Sequence, residues 1–398
     1  MSVTEFLEDI FEALNLASPT PVDPFPSAYS LTLDTSNAAF NACENTAATD
    51  PATKDLCGSL ADLTGKPASP LYAGNNDNDM LYVGSLAKLF ALYVAFELKA
   101  RVQTQAKKMI VHGLSTSAAG WENKVYDELK KAWQPKLNAA FPSLPSGMPQ
   151  FATIFALSAT GDATFTAQTP ALTDADIDAI GENGSPKGKY RDWLRSMMRW
   201  SNNTAASMSI RPLSYPYLNG VLRNAGFFDA TAHKGLWISG DYLGNDWVRG
   251  PGNKAGQPLA PRFAKAQART KSNFTGTSLQ VARLLTLLGQ GKLFDADAAA
   301  CNDMISIMTG AQGIGSYIQS ALLSASPARA ISAIASKIGF GDDAFSHDCA
   351  LIRVDRAADP ANPLQFVEVI LGSPPSKGRA DLDQLAVAYY DCITAQHP

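Results

Sequence analysis

The longest apolar run of the chain extends from Met80 to Leu98, with Gly84-Ser85, Lys88 and Glu97 as its interruptions. Apolar positions on every side of the helical wheel predict a buried helix over Met80 to Val102. Ser85 and Lys88 stand three apart at its start, and residues at that spacing share one helical face. Upstream, Leu7, Ile10, Phe11 and Leu14 follow i, i+3, i+4 and i+7, an amphipathic helix that ends near a Pro-rich linker. Short apolar runs around Thr64-Gly65-Lys66 predict a strand pair leading into the Ser85 helix.

Between about 85 and 260 the pattern is mostly helical. WENKVYDELKKAW places Val125, Leu129 and Trp133 on one stripe, YRDWLRSMMRW repeats the spacing, and PSLPSGMP and GENGSPKGK read as loops. TSLQVARLLTLLGQGKL is a further helix, capped at Thr277 or Ser278 and ending near Gly289. SKIGFG, DCALIRVD and FVEVILGSP have strand composition, and DLDQLAVAYYDCITA closes the chain as a helix lined by Leu382, Leu385 and Tyr389. Strands near both ends around a helical middle predict an α/β (α+β) fold. Residues 1–26 form an N-terminal helix and linker, and 27–398 one domain. Its α/β lobe takes about 27–84 and 262–398, and its helical lobe about 85–261.

A chain of 398 residues, 46% hydrophobic and 18% charged, buries a large core. The formal charge of −4 and scattered Lys and Arg give no basic field, so nucleic acid is not an expected partner. No stretch has the length of a membrane span. The N-terminus shows no secretory signal, which predicts a cytoplasmic protein, or a periplasmic or secreted one if the chain is a processed form. Five cysteines, 43, 57, 301, 349 and 392, make no metal-type grouping with the four histidines, so no metal is expected. Cys43 with Cys57, or Cys349 with Cys392, could bridge under oxidising conditions; the odd count and missing signal favour thiols.

A serine hydroxyl needs a base, and a lysine serves only when its amine is neutral. Leu86, Leu89, Phe90 and Val94 offer the burial that favours the neutral amine, and a second cation would act in the same direction. A helix start near Ser85 adds N–H groups suited to an oxyanion. Ser-x-x-Lys recurs by chance about once in a chain of this size, so order and company matter. Ser201-Asn202-Asn203 follows, and Lys337-Ile338-Gly339 opens a predicted strand. Alone, the first would be a helix cap and the second a strand edge.

Together these segments resemble, in order, the Ser-x-x-Lys, Ser-x-Asn and Lys-Thr/Ser-Gly motifs of the serine β-lactamase and penicillin-binding protein superfamily. The contexts YVGSLAKLF, SNNTAAS and KIGFGDDAFSHDCALIRV are similar as well, over roughly residues 60 to 395 and closest to class A β-lactamase-like proteins. The resemblance implies an antiparallel sheet flanked by terminal helices with an inserted helical lobe. It implies Ser85 as acylated nucleophile, Lys88 as base, Ser201 as proton relay, Asn203 as orienting group, and Lys337 as holder of Ser201 and source of positive charge. The N–H groups of Ser85 and Phe340, beside Gly339, would form the oxyanion hole. No cofactor is implied, and the partner is a small-molecule or peptide substrate.

Three departures bear on substrate. Ile338 replaces the Thr or Ser whose hydroxyl meets a substrate carboxylate, which favours an ester, an amide or another acyl donor. DYLGN offers Asp241 and Asn245 as analogues of the Glu and Asn that hold a deacylating water, at a longer offset from Ser201 and with a shorter acid. The 116 positions from Ser85 to Ser201 exceed the family interval, which places extra structure in the helical lobe. The expected function is a serine acyl-enzyme hydrolase acting on an amide or ester bond. A true class A-like β-lactamase or DD-peptidase and a catalytically silent peptide- or glycan-binding member are the alternatives.

Overall fold

A computed structural model describes residues 19–141, 147–243, 274–309, 315–340, 345–357 and 359–397. The N-terminal helix expected around Leu7 to Leu14, and Asn245, lie outside the described residues. Helix α1 (Ala38–Thr49) leads into strands β1 (Cys57–Asp62), β2 (Leu71–Asn75) and β3 (Leu81–Tyr82). A 3-10 turn at Gly84–Ala87 then runs directly into α2 (Lys88–Val111). The helical lobe continues with α3 (Trp121–Ala140), α4 (Phe151–Ile154), the hairpin β4 (Phe155–Leu157) and β5 (Ala163–Phe165), α5 (Asp174–Ile180), α6 (Tyr190–Arg199), α7 (Asn203–Leu213) and α8 (Tyr215–Asn224). Short strands β6 (Phe228–Asp229), β7 (Lys234–Gly235), β8 (Trp237–Ile238) and β9 (Phe274–Gly276) follow. The chain returns through α9 (Ser278–Gly289), α10 (Ala298–Thr309) and α11 (Tyr317–Ser324) to β10 (Ala333–Phe340), β11 (Ser346–Val354), β12 (Leu364–Ser373) and α12 (Ala380–Gln396).

Five strands from both ends of the chain make one antiparallel sheet in the order β10-β11-β12-β1-β2. Both faces are covered, so its central strands read as apolar runs with little alternation. On β12, Phe366 and Ile370 face α1, α11 and α12, where they pack with Phe40, Leu322, Leu382 and Leu385. Val367, Val369 and Leu371 face α9 and the helical lobe, where they pack with Leu284, Leu288 and Phe90. Thr277 caps α9 by accepting from Gln280 N at 3.2 Å, as its sequence predicts.

Every residue from Leu86 to Leu98 is buried, so the first half of α2 forms the spine between the two lobes. Each large apolar side chain removed from water there contributes about 1.5–3 kcal/mol before entropy is counted. Glu97 is tolerated because Arg101 donates to Oε1 from Nε at 2.9 Å and Nη2 at 2.8 Å, while Tyr29 OH donates to Oε2 at 2.8 Å.

Two expectations change. The helix expected from Met80 starts at Lys88, because Gly84 takes a left-handed φ of +51° and the Ser85 segment tightens into a 3-10 turn. Cys57, Cys301 and Cys349 are buried thiols, so neither Cys43 with Cys57 nor Cys349 with Cys392 is bridged, but Cys392 is disulfide-bonded, against the expectation that thiols are favoured. No described helix is long and apolar enough to cross a membrane.

Candidate active site

The turn that opens α2 presents Ser85 partly exposed while Lys88, one turn later, has no exposed surface. The Lys88 amine lies 3.0 Å from Ser85 Oγ, 2.9 Å from Ser201 Oγ and 2.8 Å from Asn203 Oδ1, and it also donates to the Ser201 carbonyl. A neutral amine can donate to Asn203 Oδ1 and the Ser201 carbonyl and accept from one of the two hydroxyls, Ser85 or Ser201. Burial, and then the charge of Lys337, push the Lys88 pKa well below its ordinary value, against a smaller pull from Glu182.

Ser201 and Asn203 reach Lys88 because the residue between them is the helix cap. Asn202 Oδ1 accepts from Ala205 N at 2.8 Å, which starts α7 and leaves its neighbours' side chains free to turn inward. Ser201 adopts φ +52°, a left-handed conformation uncommon for residues other than glycine. Asn202 thus makes the helix cap, while Ser201 and Asn203 on either side of it contact Lys88.

Lys337 comes from β10, at the edge of the sheet, and is buried. Its amine donates to Ser201 Oγ and to Ile338 O, both at 2.9 Å, so the Ser201 hydroxyl bridges two lysines. Burial lowers the Lys337 pKa to about 8, opposed by Cys349, Asp348 and Glu182. Gly339 is what allows β10 to approach Ser85. A Cβ there would run into the Val83 carbonyl and stand 2.9 Å from Leu86 Cβ and 3.1 Å from His347 Cβ. Phe340 ends the strand with its side chain 55% exposed.

The structure therefore brings Ser85, Lys88, Ser201, Asn203 and Lys337 into one hydrogen-bonded group, with Gly339 and Phe340 beside it. Asp241 is placed differently. Arg211 Nε donates to its Oδ2 at 2.6 Å and Leu243 N to its Oδ1 at 2.9 Å. Arg211 sits eight residues along α7 from Asn203, roughly 12 Å of helix. The next residue, Tyr242, is the one that reaches the nucleophile turn: its OH donates to Gly84 O at 3.0 Å and its ring centroid lies 4.4 Å from Lys88 Nζ. Tyr242 also stacks on Phe274 with centroids 4.3 Å apart. Sequence reasoning missed Tyr242, and nothing in its local pattern marks it.

Ile338 is buried opposite Asp348, which accepts from Ser316 Oγ, Ile318 N and Cys349 N. His347 is fully buried and accepts from Gly372 N at 3.0 Å through Nδ1. Among the described residues, no group of three or more His, Cys, Asp or Glu is placed to hold a metal ion.

A sequence model of the beta-lactamase enzyme family matches residues 161–359, half of the chain. The protein belongs to this family. The matched span contains Ser201, Asn203 and Lys337 and begins after Ser85 and Lys88. Among solved structures, the beta-lactamase family chain is similar to a class A beta-lactamase from Mycobacterium abscessus, at 13% identity and a TM-score of 0.46, over 90% of this chain and 100% of that one. It is also similar to a beta lactamase from Xanthomonas campestris, at 15% identity and a TM-score of 0.44, over 89% and 97%. PBP-A is similar at 13% identity and a TM-score of 0.47, over 92% and 100%. A comparison with curated proteins finds no match.

Proposed function

We propose that this family member is a serine acyl-enzyme hydrolase or transferase that cleaves an ester or amide bond of a small-molecule or peptide donor. The observation that carries the reading is the fully buried Lys88 amine within 3.0 Å of the Ser85 hydroxyl. Ser85 O–H passes its proton to the Lys88 lone pair as Oγ attacks the carbonyl carbon, and the carbonyl π electrons move to oxygen. Collapse of the tetrahedral intermediate restores the carbonyl and breaks the bond to the leaving group. The leaving group takes a proton from Ser201 Oγ, which is re-supplied from Lys88 at 2.9 Å. Lys337, at 2.9 Å from the same oxygen, lowers the cost of that relay by its positive charge.

The second half-reaction needs water or another acceptor to lose a proton as it attacks the acyl carbon. With Asp241 engaged by Arg211, Lys88 is the base that serves this step as well. Attack by water gives hydrolysis, and attack by a bound acceptor gives transfer.

Treatment with an activated neutral ester, followed by proteolysis and mass mapping, tests the reading. The acyl group is expected on the peptide that contains Ser85, and no such adduct is expected in Ser85→Ala. Labelling elsewhere, or persistence in Ser85→Ala, would remove Ser85 as nucleophile.

A further inference from the structure

Gly84 precedes Ser85, and its carbonyl belongs to the same peptide unit as the Ser85 N–H. That unit is planar and trans, so carbonyl and N–H point in opposite directions, and whatever holds the one aims the other. Tyr242 OH donates to Gly84 O at 3.0 Å. Burial raises the Tyr242 pKa well above its ordinary value, with a smaller push from Tyr82, so the hydroxyl stays a donor. The phenol is itself anchored. Its ring stacks on Phe274 at an interplanar angle of 9°, and its own N–H donates to Ser207 Oγ at 3.0 Å. Ser207, fully buried on α7 one turn after Asn203, donates in turn to Asn203 O at 3.0 Å. Phe274 O accepts from Val83 N at 2.9 Å, so the stacked pair grips two successive residues ahead of Ser85, Val83 by its N–H and Gly84 by its carbonyl. The first hydrogen bond of the 3-10 turn runs from Leu86 N to Val83 O at 3.1 Å, which leaves the Ser85 N–H unused by the turn itself.

We propose that Tyr242, anchored through Ser207, is a positioning residue that aims the Ser85 N–H at the oxyanion of the acylation step. The inference rests on Ser85 being the nucleophile. A hydrogen bond accepted by a peptide carbonyl also polarises the N–H of that peptide and strengthens it as a donor. As Ser85 Oγ bonds to the carbonyl carbon and the π pair moves to oxygen, that N–H meets more charge than in the ground state, so the contribution of Tyr242 falls on the rate and not on binding. Ring and hydroxyl have separate tasks, the one on Lys88 and the other on the oxyanion donor. The second motif then acts on the nucleophile turn twice, through Asn203 Oδ1 on Lys88 and through Asn203 O, Ser207 and Tyr242 on Gly84.

The test compares an activated neutral ester with its thionoester, which differ only in the atom that becomes the anion. Sulfur accepts hydrogen bonds more weakly than oxygen, so the preference for the ester reads the oxyanion donors. Single-turnover acylation is measured for wild type, Tyr242→Phe and Ser207→Ala. Loss of a whole oxyanion donor costs about 10²- to 10³-fold, and a misaimed one a part of that. The maximal acylation rate with the ester is therefore expected to fall about tenfold in Tyr242→Phe, with the half-saturating concentration within about twofold of wild type. The thionoester rate is expected to fall less, so the ester preference narrows, and Ser207→Ala is expected to narrow it by a smaller factor. Tyr242→Phe keeps the ring, so its thermal unfolding and the acid limb set by Lys88 are expected to match wild type; a shifted limb would place the effect on Lys88 instead. An ester preference equal to wild type in Tyr242→Phe, whether or not the rates fall, would overturn the proposal, and one equal to wild type in Ser207→Ala would remove Ser207 as the anchor. Mass mapping of the same samples separates this from failure of the underlying reading, because then the ester would not label Ser85.

Discussion

The ring of Tyr242 covers the Lys88 amine, with its centroid 4.4 Å from Nζ, while its hydroxyl holds the carbonyl of Gly84 next to Ser85. An aromatic face favours the ammonium form, by about 2 kcal/mol where water is excluded. Burial and Lys337 pull the other way. Acylation requires the neutral amine, so it is lost as pH falls through the Lys88 pKa. Tyr242→Leu removes the ring and keeps the site apolar, so the acid limb of the acylation rate should move to lower pH. Tyr242→Phe keeps the ring and should leave that limb in place. An identical limb in Leu and wild type would show that the ring does not act on Lys88.

Lys337 sets the opposite limb. Its pKa of about 8 is below that of an ordinary lysine, so the positive charge beside Ser201 fades as pH rises through about 8. The pH profile of kcat/KM should fall on the alkaline side near that value. Lys337→Arg keeps its charge at all accessible pH and should abolish the limb, at whatever level of activity the longer side chain leaves. A limb that survives Lys337→Arg belongs to another group.

Gly339→Ala should separate the third motif from the nucleophile turn. The added Cβ meets the Val83 carbonyl and Leu86, both part of or next to the Ser85 segment, and neither can yield without moving it. A cost of about 1–3 kcal/mol in stability is expected for such overpacking. The acylation rate should fall by about a hundredfold, since a shift of about 1 Å in a reacting geometry has that effect. Thermal unfolding and adduct formation measured together check it. An acylation rate equal to wild type would mean that β10 does not position Ser85.

Asp348 makes stability depend on pH in the direction opposite to a salt-bridged acid. Burial raises its folded pKa to about 6, against about 3.9 in an unfolded chain. The fold therefore binds this proton more tightly, and the contribution is complete below about pH 4 and lost as pH rises through 6. Two units correspond to stability on the order of 3 kcal/mol. Asp348→Asn should flatten the dependence between about pH 4 and 6 relative to wild type in urea unfolding. Unchanged slopes would contradict it. Glu44, raised to about 6, and Glu368, raised well above its ordinary value, act in the same direction and remain in both proteins.

The elements legible in the sequence are those with long periodic patterns: α9 with its Thr277 cap, α12, and the three C-terminal strands of the sheet. The start of α2 was not, because an apolar run looks the same in a 3-10 turn as in a helix, and only the left-handed Gly84 separates them. The hairpins β4–β5 and β6–β7 are two or three residues per strand, too short for alternation to register. At the site, Ser85 and Lys88 lie within one local turn, while Ser201 and Asn203 reach Lys88 from 113 and 115 residues away along the chain and Lys337 reaches Ser201 from 136, where only the short motif patterns marked them. Tyr242 sits on a connecting segment whose approach to Lys88 depends on long-range folding. Asp241 and Tyr242 are adjacent, and only the fold decides which of the two faces Lys88.

The central claim is that the neutral Lys88 amine activates Ser85, and the most direct measurement is the single-turnover rate of Ser85 acylation by an activated neutral ester in wild type and Lys88→Ala. Circular dichroism on the same preparations establishes that both are folded. Loss of a general base predicts a fall of about 10²- to 10⁴-fold in Lys88→Ala, with the small residual label still on Ser85. Equal rates in the two proteins would contradict the account.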